Sequence, residues 1–258
     1  MERYDRLTTL IDRFKLAVRP AQADNANLVV CTAPDGTPHR ACFRTRGTGL
    51  PTNEAPVLFW ALVDWSGAQN PFLTALPEAV AIDLRGDPDS IGLVRMMQSE
   101  IIGQRCGVDS VLSRLGEVLI VRMMRAQIEA GHTRPGLLAG LSDQRLSRAI
   151  VAMHDRPGQA WRNEDLALLA GMSLSRFAER FLAEVGEPPA SYLRRWRLTL
   201  ARQDIAKGHR VDVVARRYGF SSVEGFSRAF RKHHGETPIA LRRAQSAYTK
   251  NERPVLKY

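Results

Sequence analysis

Cysteine is scarce in this sequence and poorly placed for its usual chemistry. Cys31, Cys42 and Cys106 are the only three in 258 residues. They are odd in number and lack metal-ligand spacing, which argues against a zinc finger or a disulfide framework and favours small buried hydrophobes. Long apolar runs are missing too: the longest, APVLFWALV at 55–63, is under half of the ~20 residues needed to span a bilayer. No positively flanked apolar leader suggests export, so a cytoplasmic protein with no membrane partner is expected. There is no recognisable Ser/His/Asp group and no Gly-rich phosphate loop, and His39 has no second ligand at useful spacing. The expectation is therefore no enzyme, no metal and no tightly held cofactor.

Acidic residues are in deficit in one half only. Residues 1–154 carry 17 Lys and Arg against 16 Asp and Glu, whereas residues 155–258 carry 20 against 11. Nearly the whole net charge of +10 therefore lies in the last 104 residues. A basic end beside a neutral one implies a polyanion-binding module joined to a domain with another task. The division expected is a neutral domain over 1–150 and a basic, polyanion-binding domain over 151–258.

The basic half contains a repeat. Ala167, Gly171, Phe177, Phe181, Gly186 and Pro189 correspond to Ala215, Gly219, Phe226, Phe230, Gly235 and Pro238. Each copy reads as a short helix, a glycine turn, a serine N-cap and a second helix whose paired phenylalanines lock it to the first, which is helix-turn-helix grammar. Between the copies PPASYLRRWRLTLARQDIAKG reads as one continuous helix, started by its prolines and ended by Gly208. With Leu174, Phe177 and Phe181 buried in the first recognition helix, Ser175, Arg176, Glu179 and Arg180 are left as candidate DNA contacts. With Val223, Phe226 and Phe230 buried in the second, Glu224, Ser227, Arg228 and Lys232 are the counterparts. Arg228 suits a guanine edge and the glutamates a cytosine amino group. Arg194, Arg195, Arg197, Arg231 and Lys232 suit phosphates.

The motifs LALLAGMSLSRFAERF, GEPPASYLRRWRL, VARRYGFSSVEGFSRAF and GETPIALRR resemble the AraC/XylS-type DNA-binding domain. The resemblance spans about residues 155–245. It implies seven helices, two helix-turn-helix units in successive major grooves of double-stranded DNA, and transcription regulation through RNA polymerase, usually activation.

Residues 77–154 read mainly as helices. DSVLSRLGEVLIVRMMRAQIEAG, 109–131, opens at a possible Asp109 cap and keeps Val111, Leu112, Leu115, Val118, Leu119, Met123 and Met124 mostly on one stripe. Its partner is either the rest of its own domain or the same helix of a second subunit in a homodimer. A first helix is expected over ERYDRLTTLIDRFKLAV. Residues 20–76 are strand-like in NLVVCTA, HRACFRTRG and PVLFWALVDWSG. AraC-type regulators commonly carry a cupin barrel at this place, but a jelly roll needs about eight strands and there is room for about half. The fold class expected is α+β: a small β-rich, truncated cupin-like sensor domain with helices, then an all-α domain of two helix-turn-helix units.

In HRACFRTRG, alternation sets Arg40, Cys42, Arg44 and Arg46 on one strand face. That row reads either as a solubilising edge or as a grip for phosphates and flat bases. In LFWALVDWSG, Asp64 and Ser66 emerge on one face where they can act as turn formers or accept from a guanine edge, with Trp60 or Trp65 available to stack. RxxxR (Arg40, Arg44) followed by DxS (Asp64, Ser66) resembles the c-di-GMP signature of PilZ domains, although Gln69 stands where that signature has its last glycine. The combination is similar to AraC-like activators with a PilZ-like c-di-GMP site. It implies c-di-GMP as effector, with Arg40 and Arg44 holding phosphates and guanine faces and Asp64 and Ser66 reading a guanine edge, and exopolysaccharide or surface-attachment genes as targets; Arg46 and Trp65 are further ligand-binding candidates. The alternatives are another effector, such as a sugar or an oxidant acting on Cys31 and Cys42, or a DNA-repair enzyme fused to an AraC-type domain.

Overall fold

The computed structural model describes residues 7, 8, 11, 14, 16–49, 56–65, 70, 73, 76–131 and 135–251, with side chains described as far as residue 244. Its chain divides into two compact units, Met1–Gln144 and Arg145–Tyr258.

The first unit is built on one antiparallel sheet. Strands β1 (Leu16–Pro20), β2 (Leu28–Thr32), β3 (Pro38–Arg44), β4 (Val57–Trp65) and β5 (Ala79–Asp83) lie in the order β1-β4-β2-β3-β5. Their β-branched and aromatic residues suit a pleated, half-buried surface. The pairings Leu28 with Phe43, Val30 with Ala41 and Leu28 with Ala61 set one face inward. On that face Val18, Leu28, Val30, Ala41, Phe43, Ala61, Val63, Trp65 and Val80 are all buried. It is covered by helices α1 (Pro88–Gly103) and α2 (Val108–Ala130), with α3 (Leu137–Ser142) following them. α2 runs so close to β1 that a Cβ on Gly116 would overlap the Val18 side chain. Arg122 on α2 spans both Asp87 carboxylate oxygens at 2.7 Å and the Ser90 hydroxyl at 2.7 Å. It thereby ties α2 to the capped start of α1, and the guanidinium holds the Asp87 carboxyl down at about 2.

Several expectations are corrected here. Leu16–Val18, read as the end of a first helix, belong to β1, because hydrogen bonding to β4 outweighs the local helical pattern; most of the remainder of that helix falls outside the described residues. β5 lies within a stretch read as helical. α2 starts at Gly107 with no side-chain cap, so Asp109 sits in its first turn without capping it. The apolar stripe of α2 divides as well: Leu112, Leu119, Met123 and Met124 enter the core, while Val111 and Val118 stay 39% and 49% exposed.

The second unit is all helix: α4 (Leu146–Asp155), α5 (Asn163–Ala170), α6 (Leu174–Val185), α7 (Pro189–Ala206), α8 (Val211–Arg217), α9 (Val223–His234) and α10 (Pro238–Asn251). α7 is the long continuous helix read from its proline start. At its N-terminal half, His154 of α4 is buried against it, Nε2 lying 2.6 Å from the Tyr192 hydroxyl and the ring 4.3 Å from Trp196. Burial, with the nearby Arg195 charge, pushes His154 down to about 3. A base held below its unfolded value of about 6.5 costs the fold nothing while both states are neutral and becomes a penalty once the unfolded chain takes up the proton. Acidification below 6.5 protonates the unfolded chain first, so stability falls by roughly 1.4 kcal/mol per pH unit until about pH 3. Urea denaturation should accordingly show the second unit weaker at pH 4.5 than at pH 7. In histidine-ring NMR the His154 resonance should not titrate above pH 4; a midpoint near 6.5 would refute this account.

Candidate nucleic-acid interface and sensor face

In the first helix-turn-helix, α5 ends on Gly171, whose left-handed φ of +63° turns the chain toward α6. Phe177 and Phe181 are both fully buried, with ring centroids 5.6 Å apart. In the second, Gly219 at φ +71° makes the corresponding turn after α8, and Phe226 and Phe230 pack at 5.5 Å. The Ser222 hydroxyl caps α9 by accepting from the Gly225 amide at 3.0 Å. Ser173, the matching residue before α6, makes no such side-chain bond.

With these aromatics inside, Ser175, Arg176, Glu179 and Arg180 are exposed on α6, and Glu224, Arg228 and Lys232 on α9, with Ser227 half-buried. Leu174 and Val223, expected in the buried stripe, are 44% and 38% exposed. They sit at the first positions of their helices, outside the i, i+4 span of the phenylalanines. The two surfaces differ in charge. The last turn of α9 carries Arg231 and Lys232, cations at the negative end of the helix dipole, together with His233 and His234. His234 is turned inward, Nε2 meeting the Leu198 carbonyl at 3.1 Å, and burial pushes it down to about 4.

Two arginines expected at phosphates have other work. Arg195 pairs with Glu187, its Nε donating at 2.9 Å, and lies over the Tyr192 ring. Arg197 donates from Nε to the Pro157 carbonyl at 2.6 Å and from Nη2 to the Gln159 carbonyl at 2.7 Å. It fastens the loop between α4 and α5 to α7, where Gly158 meets Arg217 and Gly219. Arg194 is exposed and stays a phosphate candidate. Sequence reasoning missed Asp204, buried in α7, which accepts from Arg217 at 2.6 Å and from the Tyr218 hydroxyl at 2.9 Å and so seats the second turn. Its signal was weak: one carboxylate amid apolar residues of a helix.

In the first unit, the outward face of the sheet carries Arg40, Cys42 and Arg44 on β3, Val29 and Cys31 on β2, and Trp60, Leu62 and Asp64 on β4. Arg40 and Asp64 are exposed, and Trp60 is half-buried. Arg44 is engaged: Nη2 donates to Glu78 at 2.9 Å and Nη1 to the Gly49 carbonyl at 2.6 Å, holding the turn after β3 against the start of β5. Arg46 lies past the end of β3, exposed in that turn. Trp65 is on the opposite face, 2% exposed, its Nε1 donating to the Phe14 carbonyl at 2.9 Å, so it is a core residue and not a stacking platform. Ser66, with Gly67 and Gln69, lies outside the described residues. Among the described residues, no three His, Cys, Asp or Glu side chains are grouped to hold a metal, and no helix is long and apolar enough to cross a membrane.

Residues 166–244 match the helix-turn-helix domain family, and residues 12–129 match the cupin family. The five-stranded sheet is thus cupin-like, with fewer strands than a jelly roll. Among curated proteins, the chain is 35% identical to an AraC-like transcription regulator of Streptomyces lividans, over 50% of this chain and 43% of that one. It is 31% identical to the RCS-specific HTH-type transcriptional activator RclR of Escherichia coli, over 65% of this chain and 61% of that one. The chain therefore spans about half the length of the curated relatives it matches. Among solved structures, an AraC-type transcriptional regulator from Chromobacterium violaceum aligns at 26% identity and TM-score 0.39, over 41% of this chain and 95% of that one.

Proposed function

We infer that this chain is an AraC-type, ligand-responsive regulator of transcription, which binds double-stranded DNA through α6 and α9 and senses an effector with its cupin-type first unit. The observation that carries the reading is the duplicated helix-turn-helix, whose recognition helices turn Ser175, Arg176, Glu179, Glu224, Arg228 and Lys232 to solvent. Regulation runs through DNA occupancy and contact with RNA polymerase, and no catalytic step is assigned. Selection of duplexes from a random library by the full chain tests this directly. Enrichment of a site containing two short conserved blocks about one helical turn apart is expected, and no enrichment would refute it.

The effector proposed is c-di-GMP. Supporting it are the exposed Arg40 and, four residues along β3, Arg44 on the outward sheet face, with the half-buried Trp60 and the exposed Asp64 on the same face of β4, two strands away. Guanidinium groups suit phosphates bidentately, and a carboxylate suits the N1 and N2 edge of guanine. Calorimetry of c-di-GMP against the full chain should show binding that weakens at least ~10-fold in Arg40→Ala. Absence of heat with the unaltered protein ends the c-di-GMP assignment and leaves the DNA reading standing. Dimerisation is proposed through the exposed Val111 and Val118 of α2. If c-di-GMP leaves the mass by light scattering unchanged, ligand-driven dimerisation is ruled out.

A further inference from the structure

We propose that Cys31 and Cys42 form a two-coordinate site for a soft, thiophilic metal ion, cuprous copper in its simplest form, on the outward face of the sensor sheet. Cys31 lies opposite Arg40 in the β2–β3 ladder and Cys42 lies opposite Val29, so the two cysteines are diagonal neighbours on adjacent strands. They share a face, since each alternates with the buried Val30 and Ala41, and both are half-buried. Burial raises both thiol pKa values, and the charge of Cys42 raises that of Cys31 further, as expected of sulfurs within electrostatic reach. Arg40 shares their face, opposite Cys31 in the ladder and two residues from Cys42, and its charge lowers both thiols against that trend.

Geometry separates the candidate uses of such a pair. Diagonal neighbours in an antiparallel sheet lie about 7–8 Å apart at Cα. That exceeds the roughly 4.4–6.8 Å span of a disulfide, so direct bridging would require the strands to shift. A bridging metal lengthens the link: with metal–sulfur bonds near 2.3 Å, a linear S–M–S unit holds the sulfurs about 4.6 Å apart. Zinc would require four ligands, and no third group is in place among the described residues. Two thiolates with nothing further select a soft ion that accepts two ligands. The step balances without redox: two thiols lose their protons to solvent, two Cu–S bonds form, and the product carries one negative charge. Arg40 supplies the compensating positive charge. Asp83, opposite Arg40 on β5, is chelated by Arg85 at 2.6 to 3.0 Å.

The test uses the full chain, reduced and free of oxygen, titrated with Cu(I) against a chromophoric cuprous chelator. One equivalent should be retained. Cys31→Ser and Cys42→Ser should each lower retention about 100-fold or more, and Arg40→Gln about 10-fold, through loss of the neighbouring charge. Cys106→Ser should behave as the unaltered protein does. Cys31→Ala and Cys42→Ala, checked by circular dichroism, serve as second variants should a serine disturb the sheet. No retention, retention indifferent to either cysteine, or retention that depends on Cys106 would each overturn the site. So would ready conversion to a Cys31–Cys42 disulfide by diamide without copper retention, which would assign the pair to oxidant sensing. Neither DNA nor c-di-GMP enters the measurement, so its failure is distinct from failure of the regulatory reading.

Discussion

Gly158→Ala should unfold the second unit at a temperature roughly 10 to 20 °C below that of the unaltered chain, leaving the first unit's transition in place. A Cβ at Gly158 would overlap the Arg217 carbonyl oxygen, a backbone atom that no rotamer change can move aside. Nor can the far side yield, because Gly219 stands there at φ +71° and its own Cβ position is 2.7 Å from the Gly158 carbonyl. The loop would have to lift, breaking the two bonds from Arg197 to the Pro157 and Gln159 carbonyls. Overpacking costs about 1–3 kcal/mol, and each net hydrogen bond about 1 kcal/mol. A total near 3 kcal/mol moves the midpoint of a domain this size by several degrees per kcal/mol. Differential scanning calorimetry of the full chain reads both transitions; a second transition within about 2 °C of the original would refute the close approach.

Arg228→Ala should cost about 1–3 kcal/mol in binding to a selected duplex and relax the preference at one base position, because a forked guanidinium reads a guanine edge through two bonds. Lys232→Ala, a residue suited to phosphate, should weaken binding to every duplex alike and reduce the slope of log affinity against log salt by about one. Arg195→Ala separates surface from scaffold. Its guanidinium is bound to Glu187 and stacked on Tyr192, so its loss should lower thermal stability before it alters base preference. Fluorescence anisotropy at three salt concentrations distinguishes the three patterns. Unchanged affinity of Arg228→Ala on every duplex would remove α9 from direct readout.

Much of the second unit was legible in one dimension. The two glycine turns, the phenylalanine pairs and the proline-started α7 are local features whose spacing follows helical periodicity, so counting residues located them. Charge was legible at the level of a segment but not of a residue. Arg194, Arg195 and Arg197 look alike in the string RRWR, yet one is exposed, one is paired with Glu187 and one is bound to carbonyls of a distant loop. Similarly, period-two alternation placed Arg40, Asp64 and Trp60 outward, and the same alternation turned Trp65, expected as a stacking contact for the ligand, inward.

Composition, periodicity and the internal repeat by themselves determined that this is a two-part chain, neutral and β-containing in front, basic and twice helix-turn-helix behind. These properties depend on neighbours within a turn or a strand, which a sequence displays directly. Only the tertiary structure decided that β5 completes the sheet, that His154 is a buried neutral base, that Gly158 and Gly219 meet, and that Cys31 and Cys42 share a face. Each depends on partners many residues apart, on strand register and on burial, and a linear pattern does not carry those coordinates.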